Sequence, residues 1–346
     1  MKYQILGQSD LKVSKICLGT MTFGQQNTEA DGHEQMDYAL DQGINFFDTA
    51  EMYSVPGRKE TQGSTERILG SWFKKTGNRN KVILASKITG PSRGLSHVSP
   101  TLDYSPARIL SAIEGSLGRL QTDIIDIYQL HWPERKTNYF GQLNYPIVSD
   151  DEWQDNFHSV ISTMEKLKGE GKIRYWGMSN ETPWGLMRAT FVADQHNIMR
   201  PLTVQNPYNL LNRTFEIGMS EVSMRENVPL LAYSPMAFGL LSGKYHKGSD
   251  SPNDRINQFP TLSRYNGAST RLMAQKYLDL AAEFNLSPAV MSLAFVHQQP
   301  FVGSTIIGAT SMAQLRENVS SINVEISDAL ISRINELHMA HSNPAP

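Results

Sequence analysis

Eight times along the chain, a short run of β-branched and apolar residues is followed by a longer stretch with the spacing of a helix. The runs are "KICLGT" (15–20), "INFFDTA" (44–50), "VILASK" (82–87), "IDIYQLH" (125–131), "RYWGMSN" (174–180), "LTVQNPY" (202–208), "PLLAYSP" (229–235) and "STIIGA" (304–309). Between the third and fourth lies "SPARILSAIEGSLGRLQ" (105–121), in which Ile109, Ile113, Leu117 and Leu120 share one helical face. Ser105 suits its cap and Pro106 its first helical position. Eight strand–helix pairs argue for one closed parallel (β/α)8 barrel domain over residues 1–346. An open doubly wound sheet is the rival arrangement.

Four segments stand outside the repeat. Residues 1–14, turning at "GQSD", read as a hairpin that plugs the amino-terminal end of the barrel, and 325–341 reads as an extra helix. The stretches 132–155 and 237–267 are long, polar and aromatic. Connections beyond about 12–15 residues are usually functional or disordered. Both leave the carboxyl ends of strands, the face on which barrels build their sites, so lids or specificity walls are expected.

A formal net charge of −2 offers no basic face for nucleic acid. The amino-terminal segment has no continuous apolar core of a signal peptide, and no run reaches the roughly 18–20 apolar residues of a membrane helix. Cys17 is the single cysteine, which fits a reducing compartment. The expectation is a soluble cytoplasmic protein with a small-molecule partner, of open oligomeric state.

The last residues of the strands change character. Asp48 ends the second run with Tyr53 just beyond it, Lys87 ends the third, His131 the fourth, Ser179 and Asn180 the fifth, and Gln205 lies in the sixth. Taken singly, each has a plain structural use as turn former, cap or solvated charge. In a barrel they converge on one rim. A phenol with an ordinary pKa of about 10 is a poor acid at neutral pH, and a neighbouring ammonium favours its ionised form. Asp48, Lys87 and Tyr53 therefore suggest a tuned general acid, with His131 donating to the same substrate oxygen. A carbonyl suits such a site, because its oxygen must gain a proton as its carbon gains a hydride. No side chain delivers hydride, so a cofactor is required. Ser179, Asn180 and Gln205 have the donors and acceptors to hold a nicotinamide carboxamide, and the ring of Tyr233 can stack on it.

"DTAEMY", "SK", "QLHWP", "GMSN", "VQNPYN", "AYSPMAFGLLSGKY" and "GATSMAQLREN" resemble, in order and over nearly the whole chain, the signature set of the aldo-keto reductases. The resemblance is greatest to the bacterial Tas-like branch, related to potassium-channel β subunits. It implies an (α/β)8 barrel with an amino-terminal hairpin and reduction of aldehydes or ketones with NADPH. Carried over by position, the catalytic tetrad falls on Asp48, Tyr53, Lys87 and His131, and the nicotinamide residues on Ser179, Asn180, Gln205 and Tyr233. The resemblance also implies cofactor contacts at Thr20 and Met21, along Ser234, Pro235, Met236, Gly239 and Leu241, and at Gly308 and Thr310.

Neither a G-x-G-x-x-G turn nor a complete phosphate-binding P-loop occurs. Thr310, Ser311 and Gln314 open a helix whose free amides favour a phosphate. In the resembling family this helix holds the adenosine end, which points to Gln314, Glu317 and Asn318. Lys244 and Arg255 are candidates to close over the pyrophosphate and the 2′-phosphate, which favours NADP⁺/NADPH. Met52 and Trp132 are expected in the substrate wall, with further aromatics at Tyr139, Phe140, Tyr145 and Trp153. Arg58, Lys59 and Arg135 leave room for an acidic substrate. The alternative function is an NADPH-binding regulatory or interaction module with slow turnover. A metal-dependent hydrolase lacks its ligands, since no His-x-His pair occurs.

Overall fold

The computed structural model describes the chain except residues 92–93, 148, 150, 247–253 and 259–262. An antiparallel hairpin, β1 (Tyr3–Ile5) with β2 (Lys12–Ser14), precedes the first barrel strand, β3 (Ile16–Gly19). Strands and helices then alternate. They are α1 (Glu29–Asp41), β4 (Phe46–Asp48), α2 (Ser64–Thr76), β5 (Ile83–Ile88), α3 (Pro106–Leu120), β6 (Ile125–Leu130), α4 (Phe157–Gly169), β7 (Ile173–Ser179) and α5 (Pro183–His196). The series continues through β8 (Val204–Pro207), α6 (Met219–Glu226), β9 (Leu230–Tyr233), α7 (Arg255–Gln258), α8 (Ala268–Glu283), α9 (Pro288–His297), β10 (Val302–Ile307), α10 (Met312–Ser320) and α11 (Asp328–Ala340). Parallel pairing runs from β3 in order to β10, and β10 returns to β3 with Thr305 opposite Ile16, closing the barrel. Closure excludes the open sheet.

Strand parity explains the interior. Successive side chains on a strand point to opposite faces. Phe47, Leu84, Tyr128 and Trp176 accordingly pack outward under the helices, while Cys17, Phe46, Ala85, Ile127 and Leu231 point inward. The hairpin meets that inner set: Leu6, Leu11 and Val13 are fully buried against it, plugging the amino-terminal end. The expected cap of α3 forms, with Ser105 Oγ accepting from the Arg108 amide, and the extra carboxyl-terminal helix is α11.

The two long connections differ. That after β9 contains α7 and a tight turn over Ala237–Ser242 in which Phe238 and Gly239 both take positive φ. That after β6 contains no helix or strand among its described residues. Among the described residues, no helix is long and apolar enough to cross a membrane, and Cys17 is buried and free.

Candidate active site

Two residues beyond the apolar inner set, the same strand faces turn polar. Asp48 at the end of β4, Lys87 in β5, Gln129 in β6 and Gln205 in β8 meet inside the barrel. Lys87 is wholly buried, and its Nζ donates to Asp48 Oδ2 at 2.6 Å and to the Thr49 carbonyl at 2.8 Å. Asp48 Oδ1 accepts from Gln205 Nε2 at 2.9 Å and from Gln129 Nε2 at 3.3 Å. A carboxylate with this many donors is held in one orientation. Gly177 makes the room: a Cβ there would come within 2.5 Å of Thr203 Oγ1 and 3.5 Å of Gln129 Cγ.

Tyr53 lies above this pair. Its ring is 4.9 Å from Lys87 Nζ, close enough for that charge to act on the phenol. His131, just past β6, sits edge-on to Tyr53 with ring centres 5.6 Å apart. The tetrad expected from sequence is thus assembled in one place. The expected direction of the tyrosine shift is not what the geometry gives. Burial pushes the Tyr53 phenol above its usual range, and the nearby Lys87 charge only partly opposes it. Removing a phenolate from water costs more than one adjacent cation returns. Lys87 itself loses by burial and gains more from Asp48, then from Tyr53, so its pKa is raised and it stays charged.

The nicotinamide candidates lie beside the tetrad and are braced by the protein. Ser179 Oγ donates to the Gln205 carbonyl at 2.8 Å. Asn180, at φ +54°, donates to the His131 carbonyl at 2.8 Å and accepts from the Tyr233 hydroxyl at 2.6 Å. The positive charge of Arg264 is near enough to act on the Tyr233 phenol, partly opposing the upward push of burial. Thr20 Oγ1 donates to the Asp48 carbonyl at 2.9 Å.

Arg255, at the start of α7, reaches much further in than a surface loop charge. Its Nη2 lies 3.6 Å from Met21 Sδ, its guanidinium covers the Phe238 ring at 4.5 Å, and burial pushes its pKa down to about 10. Its Nε is buried without a hydrogen-bond partner. Such a donor fits a phosphate oxygen, so the residues present suit the pyrophosphate of a dinucleotide. Lys244 differs: its Nζ is paired with Asp254 at 2.7 Å.

The tight turn after β9 brings Ser234, Pro235, Met236 and Gly239 to the rim, with Ser234 and Gly239 at positive φ. The Leu241 side chain is wholly buried in the outer core, and its amide donates to the Met236 carbonyl at 3.3 Å. Past β10, a Cβ on Gly308 would meet nothing within 4 Å. There Gln314 Oε1 accepts from the Thr310 amide at 2.9 Å, Asn318 Nδ2 donates to the Gly308 carbonyl at 3.1 Å, and Glu317 accepts from Ser287 at 2.6 Å.

A separate apolar cluster adjoins the phenol. Met52, Tyr53, Leu95 and Trp132 are buried together, with Met21, Val55, Tyr139 and Phe140 against them. The wall expected from Met52, Trp132, Tyr139 and Phe140 therefore gathers at the site. Trp153 instead packs on Phe157 and Trp184, and Tyr145 is exposed. Arg135 is also reassigned: it is buried and ion-paired with Glu181. Sequence reasoning missed Gln129, although its position two residues before His131 on one strand marks the same inward face.

The description "Aldo/keto reductase family" belongs to the family model that matches residues 15–338. The chain is 47% identical over its full length to "Protein tas" of Escherichia coli (strain K12), all of which is covered. It is 33% identical to "Uncharacterized oxidoreductase YrpG" of Bacillus subtilis (strain 168), over 100% of this chain and 98% of that protein. At 28% identity, 94% of the chain aligns with 92% of "Probable voltage-gated potassium channel subunit beta" of Arabidopsis thaliana.

Proposed function

Because the chain belongs to the aldo/keto reductase family, we propose that it reduces an aldehyde or ketone to an alcohol, with NADPH as cofactor and Tyr53 as general acid. The observation that carries this reading is the buried Asp48–Lys87 pair at 2.6 Å with the Tyr53 ring 4.9 Å from the same ammonium. NADPH, when bound, supplies the hydride. Burial keeps the Tyr53 proton in place across neutral pH until a carbonyl oxygen takes it. As that proton leaves, the growing phenolate charge is stabilised by Lys87, which Asp48 holds charged and in position. His131 donates a hydrogen bond to the same oxygen.

Ser179, Asn180 and Gln205 would hold the carboxamide and Tyr233 the ring. Arg255 would take the pyrophosphate, and Gln314, Glu317 and Asn318 the adenosine side. Lys244 would have to leave Asp254 to reach a 2′-phosphate, which makes the preference for NADPH the most exposed part of the proposal. The apolar wall favours a carbonyl with a hydrophobic flank. The buried free Cys17 suits a cytoplasmic setting.

The likeness to proteins named as potassium-channel subunits supports a second reading, a cofactor-binding module with slow turnover. Tryptophan fluorescence titrated with NADPH and with NADH, followed by NADPH oxidation over an aldehyde panel, separates the two. The first reading expects NADPH-selective binding and turnover. Binding without turnover favours the module, and absence of binding removes both.

A further inference from the structure

Between Asp48 and Tyr53 lies Glu51, a buried carboxylate that the chemistry above does not use. Its side chain is 5% exposed, and Arg108 of α3, 6% exposed, donates from Nη2 to its two oxygens at 2.7 and 2.6 Å. Glu51 Oε2 also accepts from the Thr89 amide at 2.9 Å. Its own amide donates to the Lys87 carbonyl at 3.0 Å, and its carbonyl accepts from Gln62 Nε2 at 2.9 Å. Two residues on, the Tyr53 amide closes a turn onto the Ala50 carbonyl at 3.1 Å.

These bonds have a common geometry. Glu51 grips the chain immediately beyond the Lys87 side chain, at the Lys87 carbonyl and the Thr89 amide on either side of Ile88, while its own backbone leads directly into Tyr53. The general acid and the ammonium that tunes it stand on different segments, and this suture joins them. Arg108 Nε is buried without a partner, so the guanidinium is not packed for maximal bonding. A buried ion pair of this kind adds little net stability over apolar residues of similar volume. Its effect is therefore geometric.

Resting on the reductase reading above, we propose that Glu51, held by Arg108, is a positioning residue that sets the placement of the Tyr53 phenol against Lys87. A neighbouring pair supplies the control. Glu66 of α2 is bonded by Arg119 at 2.7 Å and by Ser86 at 2.5 Å on the outer face of β5, and it is bonded to neither Lys87 nor the Tyr53 loop.

The test is a double replacement that leaves no unpaired buried charge, Glu51→Leu with Arg108→Met, beside Glu51→Gln with Arg108→Met, which keeps an acceptor for Thr89. A displacement of about 1 Å at a reacting group can cost about 10²-fold in rate. The Leu–Met protein is expected to lose about 10- to 10²-fold in kcat with NADPH Kd unchanged, the Gln–Met protein to recover part of that loss, and Glu66→Gln with Arg119→Met to keep wild-type kcat. A folded Leu–Met protein with wild-type kcat overturns the proposal, as does loss of kcat and NADPH affinity together. Should the Leu–Met protein not fold, the same two outcomes in the Gln–Met protein decide. Wild type without NADPH-dependent turnover defeats the reductase reading instead. The suture is then judged by a crystal structure of the folded double variant, which must show Tyr53 displaced from Lys87.

Discussion

Phe46 and Asp48 stand two residues apart on one strand and face the same barrel interior, yet one joins an apolar plug and the other an ion pair. The same step recurs from Ala85 to Lys87, from Ile127 to Gln129 and from Leu231 to Tyr233. At the amino-terminal end the inner residues are apolar and covered by the hairpin. At the carboxyl-terminal end they are polar and covered by loops. Stability and chemistry are thereby assigned to successive layers of the same strands, and a replacement should reveal which layer it strikes.

The comparison is sharpest at the boundary. Lys87→Met leaves Asp48 buried without its cation and is expected to destabilise by about 3–5 kcal/mol as well as abolish turnover, measured by urea unfolding and NADPH oxidation. One layer down, Phe46→Ala is expected to cost about 3–5 kcal/mol in unfolding free energy, with wild-type kcat per folded molecule. A large kcat loss in folded Phe46→Ala protein would break the division of labour.

A smaller effect comes from outside the barrel wall, where a polar group is buried among helices. His297 of α9 bridges Thr305 and Ser321 through its two nitrogens, both at 2.8 Å, and burial pushes its pKa down to about 3. Its folded pKa lies below its unfolded value, so the unfolded chain binds the extra proton as pH falls. Stability is then lost progressively from about pH 6.5 toward the folded value, at up to about 1.4 kcal/mol per pH unit. Between pH 7 and 5, His297→Gln should lose about 2 kcal/mol less unfolding free energy than wild type. Identical losses would remove His297 as an acid-sensitive element.

The smallest expected effect is an absence of change. With the Tyr53 phenol raised and Lys87 charged, neither group titrates near neutrality, so both should leave kcat flat there and lower it only in the alkaline range. A fall in kcat between pH 7 and 9 traced to Tyr53 would contradict the balance of burial over lysine described above.

The barrel was legible in the sequence because each strand is a short apolar run and each helix a longer periodic one, signals carried by neighbouring residues. The polar rim was legible for a related reason: these residues end their strands or follow them closely, and closure brings strand ends together. What escaped depends on partners far apart in the chain. Arg135 looks like a solvated loop charge until Glu181 is folded against it, and Lys244 looks free until Asp254 is placed beside it. Glu51 and Arg108 are 57 positions apart, and only the packing of α3 on the rim pairs them. Leu241 carries a motif position, while its side chain belongs to the core. The direction of the Tyr53 shift required knowing how deeply the phenol is buried, which the presence of a lysine does not reveal.

The central claim is that Tyr53 delivers the proton in a site that binds its cofactor independently. Tyr53→Phe keeps the ring and removes only the hydroxyl. With an aldehyde that the wild type reduces, this variant is expected to lose about 10²–10⁴-fold in kcat while binding NADPH with unchanged Kd. Undiminished kcat in the variant would contradict the account.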